Sequence, residues 1–183
     1  MPIDRDLVQS LVCARQAGPL GSIVTLRQGA KREARMAGSS DPYNLGRFLH
    51  AQEDDYDQAL SEVTSGRKRT HWMWYIFPQI DGLGFSETAK HFAIKSIEEA
   101  RAYLAHPVLG PRLRDCAEAA IGVEGRSAIE IFGSPDDLKL RSCATLFAHV
   151  SSPGSVFERL LAKYFRGERD GKTLRLLTGG VEH

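Results

Sequence analysis

The chain has 183 residues, 42% of them hydrophobic and 26% charged, which suits one globular domain or one domain with a tail. Its formal net charge of +1 argues against a general nucleic-acid binder, which carries a strong basic excess, so any electrostatic function must be local. No apolar run approaches the length of a membrane-spanning helix. Three dispersed cysteines, Cys13, Cys116 and Cys143, form neither a CxxC pair nor an even framework, the usage of a reducing cytoplasm.

Residues 1–40 differ from the rest. Arg5, Arg15, Arg27, Lys31, Arg32 and Arg35 outnumber Asp4, Asp6 and Glu33, and the sparse apolar residues hold no period. Arg15, Gly18, Pro19 and Gly21 interrupt any secretory signal, while an Arg-rich, acid-poor stretch also has the composition of a transit peptide. The reading adopted is a flexible tail, disordered or loosely docked, with translation from Met36 as another origin for the segment.

From Asp41 the pattern becomes helical. Asp41 as N-cap and Pro42 at the first position predict a helix carrying Leu45, Phe48, Leu49, Tyr56, Leu60 and Val63 on one side, with Gly66 as its stop. "WMWYIF" reads either as a short strand or as a buried helical turn ended by Pro78. Ser86 precedes "ETAKHFAI", and Ser96 with Glu99 forms a capping box before "IEEARAYL". His106-Pro107 opens a long segment bearing Leu109, Leu113, Cys116, Ala117 and Ala120. Ser127 with Glu130 boxes "AIEIF", which Gly133 stops. Ser134-Pro135 and Asp137 start "DDLKLRSCATLFAHV", whose apolar residues wrap most of its circumference, as on a central helix. Ser155 precedes "VFERLLAKYF", Gly167 closes it, and Asp170 caps a last helix around "KTLRLL". No hairpin dipeptide joins two alternating runs. The prediction is all-α: one compact domain of about seven helices over residues 41–178, behind the tail of residues 1–40.

Most catalytic and metal patterns are missing. Gly167 and Gly171 enclose three residues where a phosphate loop before Gly-Lys-Thr needs four, and helix precedes them. The scattered histidines form no HExxH or Cys/His set, so no metal or cofactor is assigned. No GxSxG turn exists, and Cys143 reads as a plain buried thiol beside an Arg141 that points elsewhere. Glu53, Asp54, Asp55 and Asp57 read as a solvated helix face.

What remains is "SGRKRTHWMWYIFPQIDGLG" and its partner "FGSPDDLKLRSCATLF". Arg67, Lys68 and Arg69 concentrate charge; Arg suits bidentate carboxylate or phosphate contacts. Trp72 and Trp74 bring broad faces and indole donors, and Gln79 adds a donor and an acceptor. Lys139 and Ser142, three apart on a helix, share a face. These residues are assigned to one polar-aromatic pocket for a small anionic ligand, a nucleotide or a phosphorylated metabolite. No reaction is read; if there is one, His71 is the general acid or base. The competing accounts make the aromatic block plain core, with an exposed groove for an unknown protein partner, or a stacking platform for single-stranded RNA beside Arg67–Arg69.

The blocks "DPYNLGRF", "GRKRTHWMWYIFPQIDGLG", "AYLAHPVLGPRL", "IFGSPDDLKLRSCATLF" and "FERLLAKYFRGERDGKTLRLL" occur in the order seen in domain-of-unknown-function family 1810, which this chain resembles from about Asp41 to Leu177. The resemblance implies a mainly helical fold and no established activity. Its most distinctive blocks fall on Arg67 to Gln79 and on Gly133 to Phe147. Cys143 departs from the serine or other small residue expected there, which weakens any role for that side chain. Members are sometimes labelled calpastatin; a calpain inhibitor of that kind is a flexible repeat chain, unlike this capped, aromatic sequence.

Overall fold

The computed structural model describes residues 41–179; the expectations for residues 1–40 lie outside that range. The described residues form nine helices: α1 (Gly46–Thr64), α2 (Met73–Ile76), α3 (Glu87–His91), α4 (Ile97–Ala105), α5 (Leu109–Gly122), α6 (Ala128–Phe132), α7 (Asp136–His149), α8 (Val156–Phe165) and α9 (Gly171–Leu177). Among them the only β pairing is an isolated bridge between Ile80 and Ile94. None is long and apolar enough to cross a membrane.

Side-chain caps begin the helices where the serines and Asp170 stand. Ser86, Ser96, Ser127 and Ser155 each accept from the backbone N–H three residues on, as Asp170 does from Thr173, and Ser127 with Glu130 completes a reciprocal box. Two starts differ from the predicted form. The Asp41 carboxylate accepts from Leu45 and Gly46, so it caps α1 across an intervening turn and the helix begins at Gly46. Glu99 does not reach back to Ser96; its carboxylate accepts from the Lys95 amide and pairs with Arg47 at 2.5 Å. At α5, His106 Nδ1 accepts from the Val108 and Leu109 amides and supplies the cap itself.

α1 packs on α5, α5 on α8, and α8 on α7, which also touches α6 and α9. α7 is the central element: Leu140, Ser142, Cys143, Ala144, Thr145, Leu146, Phe147 and Ala148 are all buried. Its buried hydroxyls are satisfied locally, Ser142 Oγ donating to the Leu138 carbonyl and Thr145 Oγ1 to that of Arg141. Ring contacts cross the core from Phe48 to Tyr103, Phe147 and Phe157, with centroids 5.0–5.5 Å apart. The aromatic block resolves into helix: Ile76 and Phe77 amides donate to the Trp72 and Met73 carbonyls, and Pro78 follows.

Candidate functional site

The shape of the Arg67–Trp72 segment comes from Glu62, near the end of α1. Its buried carboxylate accepts from the Arg69 and Thr70 amides, Thr70 Oγ1, Trp72 Nε1 and Gln58 Nε2, at 2.7–3.1 Å. Burial alone would raise its pKa, but the Arg69 and Thr70 amides and the Trp72 indole hold it down at about 2. Trp72 is thereby locked in the core at 1% exposure. Nothing in the helical pattern of α1 marks Glu62 as special; a lone acid between Ala59 and Val63, both fully buried, is the only signal.

Lys68 is also committed. Its ammonium bonds the Thr70 carbonyl and the Asp136 carboxylate at 2.7 Å each, and lies 5.1 Å from the centre of the Trp72 ring. The other Asp136 oxygen takes Lys139 at 2.7 Å, and Lys139 sits 4.5 Å from the Trp74 ring centre. Burial opposes ionisation of Asp136, yet the two lysines keep its pKa below the usual carboxylate value. The two sequence blocks therefore do meet, through a Lys68–Asp136–Lys139 triad between two tryptophans.

Beyond that triad a cleft of about 700 Å³ opens between the α2 turn, the Leu83–Ser86 loop, α7 and α9. Trp74, Gln79, Lys139 and Ser142 line it, four of the residues assigned from sequence. Arg67, Lys68, Arg69, His71 and Trp72 do not: Arg67, Arg69 and His71 are exposed elsewhere on the loop, Trp72 is core, and Lys68 lies behind Asp136. One α7 helix cannot bring its cleft face and the whole Arg67–Trp72 loop together, because Glu62 pulls that loop against α1.

The cleft also contains groups the sequence reading passed over. Lys172 and Arg175 are a turn apart on α9, and neither side chain has a hydrogen-bond or ion-pair partner among the described residues. Asp170 is spent on the Thr173 amide and hydroxyl at 2.7 Å each. Phe85, 85% exposed, and Leu138, 56% exposed, form an apolar rim. The loop can present Phe85 because Gly84 lies so close to α3 that a Cβ there would fall 2.5 Å from that of Ala89. Phe85 carries no mark of exposure in the sequence, and Lys172 stands there only as the lysine of a phosphate loop that is one residue short. Among the described residues, no group of three His, Cys, Asp or Glu side chains could hold a metal ion.

The chain is 51% identical to the conserved hypothetical protein Rv1873 from Mycobacterium tuberculosis, whose crystal structure superposes with a TM-score of 0.74 over 75% of this chain and 99% of that one. No curated protein matches it. Residues 42–177 match the family model described as protein of unknown function DUF1810. With most of its length covered by that model, the chain belongs to the DUF1810 family.

Proposed function

We propose that the chain binds a small anionic ligand, a nucleotide or a phosphorylated metabolite, in the cleft between α2, α7 and α9. The observation that carries this reading is a charge imbalance at an aromatic wall: Lys172 and Arg175, without ion-pair partners among the described residues, line the cleft with Trp74 and with Lys139, which Asp136 pairs, while the Asp170 carboxylate is taken up by Thr173. The volume suits a ligand of nucleotide size. Lys172 and Arg175 supply the anion contacts at the α9 end, while Phe85 and Leu138 offer an apolar surface for a ring or carbon skeleton. Trp74 acts as a wall rather than a stacking face, because Lys139 already lies over its ring. His71 lies outside the cleft and has no part in this reading.

Trp74 makes the test direct. Trp72 is sealed in the core, so a ligand that changes tryptophan emission reports from Trp74. Nucleotides, sugar phosphates and carboxylates are titrated while emission and melting temperature are followed. Replacing Arg175 with Ala should weaken binding about tenfold, the value of one charge-assisted hydrogen bond. If no ligand class at millimolar concentration alters either signal, the reading fails.

Phe85 and Leu138 support a second reading, a protein-docking rim. It predicts that Phe85→Ala abolishes capture of a protein partner while Lys172→Ala and Arg175→Ala leave capture intact.

A further inference from the structure

Past the C-terminal end of α7 a second cleft, of about 670 Å³, lies where α4, α5 and α8 meet the Ser151–Ser155 loop. Arg101 of α4, Arg114 of α5 and Arg159 of α8 all line it, and Glu118 is its one carboxylate. In a chain with a net charge of +1, three guanidiniums brought from separate helices are a local excess, not a reflection of composition.

Two of the three are fixed from behind. Arg114 Nη2 donates to the Leu104 carbonyl at 3.4 Å, a contact that depends on α4 and α5 approaching closely at Gly110. Arg159 is held by an ion pair to Glu118. Arg101 makes no side-chain hydrogen bond among the described residues, though from one turn along α4 its charge helps to hold the Glu98 carboxyl below its usual pKa. A guanidinium has five N–H donors, so each arginine keeps most of its donors unspent. Ser151 and Ser152 add hydroxyls from the loop.

We propose that this cleft binds a phosphomonoester dianion through Arg101, Arg114 and Arg159. Planar guanidinium forks match phosphate oxygens two at a time, and a dianion relieves the mutual repulsion of three cations that Glu118 and Glu98 leave unbalanced. Leu104, Ala105, Val150 and Pro153 give the lining apolar surface as well, which can carry the rest of a ligand. The arginines recognise the phosphate group itself. That group can belong to a free metabolite or to a phosphorylated serine of another protein.

The test maps chemical shifts of the full chain, including arginine Nε–H signals, during titration with inorganic phosphate, glycerol phosphate and a phosphoserine peptide. Shifts should gather on Arg101, Arg114, Arg159 and residues 151–155, as a set separate from any that arises around Trp74 in the other cleft. Arg101→Ala, at an exposed position, should weaken phosphate binding about tenfold, and Arg114→Lys should do so by removing the fork while keeping the charge. Lys172→Ala, a change in the other cleft, should leave the shifts at Arg101, Arg114 and Arg159 as they are. Tighter binding of the peptide or of glycerol phosphate supports the site and names its source. Absent shifts at millimolar phosphate, or affinity unchanged in both arginine variants, overturns the proposal.

Discussion

Glu62 shows how one side chain can decide the shape of a loop. Five donors converge on it, and replacing it with Ala leaves the Trp72 indole buried without a partner and two part-buried amides unpaired. That variant should lose about 3–5 kcal/mol of stability, read from urea unfolding, and its Trp72 emission should shift to the red. The acid response has a definite sign. Because the folded pKa, about 2, lies below the ordinary value of 4.5, the stabilisation is complete above the unfolded pKa and disappears as pH falls through the folded one. His106 acts in a milder range: burial lowers its pKa below 6.5, and its Nδ1 must stay unprotonated to cap α5. Its contribution is present above pH 6.5 and lost on acidification below that value, earlier than that of Glu62. Unfolding curves of His106→Ala and the parent chain should therefore converge as the pH is lowered.

Among elements, the approach of α4 to α5 is the most restrictive. A Cβ on Gly110 would stand 2.1 Å from the Leu104 carbonyl oxygen, which is backbone and cannot swing aside. Gly110→Ala should thus cost several kcal/mol by forcing the helices apart, and lower the melting temperature by about 10 °C or more. Arg47 imposes a similar constraint at the start of α1. Its guanidinium bonds the Tyr43, Asn44, His91 and Ala93 carbonyls and the Glu99 carboxylate, tying α1 to the segment between α3 and α4. Arg47→Lys keeps the charge but loses the fork, so it should be nearly as destabilising as Arg47→Ala. Helix boundaries were readable because a Ser or Asp cap acts on an amide three residues away. The burial of α7 was readable from apolar residues on every side. What distinguishes helix from strand in "WMWYIF" was not, since Glu62 lies ten residues upstream. The cleft was half legible for the same reason: Trp74 and Lys139 stand in conspicuous blocks, whereas Lys172 and Arg175 gain meaning only when α9 folds back on α7.

For the whole molecule, the ring contacts from Phe48 to Phe157 and the central α7 make one core of segments far apart in sequence. Such a core should melt in a single transition. That shared core supports the expectation that residues 41–179 fold alone. A fragment of those residues should unfold cooperatively in calorimetry, with equal calorimetric and van't Hoff enthalpies; a broad or split transition would refute a single unit. The two proposed anion clefts lie toward opposite ends of α7 and draw on different cations. Their ligands should therefore bind additively, each raising the melting temperature to the same extent with or without the other.

Cys116 and Cys143 turn that core into a clock. Both sulfurs are sealed, at 0% and 1% exposure, and burial raises the first thiol to about 12 and the second well above its ordinary value. Neither offers a thiolate to a reagent while the fold is closed. With Cys13 replaced by serine, alkylation can proceed only through molecules that have opened. Under excess reagent the labelling rate becomes the opening rate, and one mass spectrum per time point records how often α5 and α7 let water in.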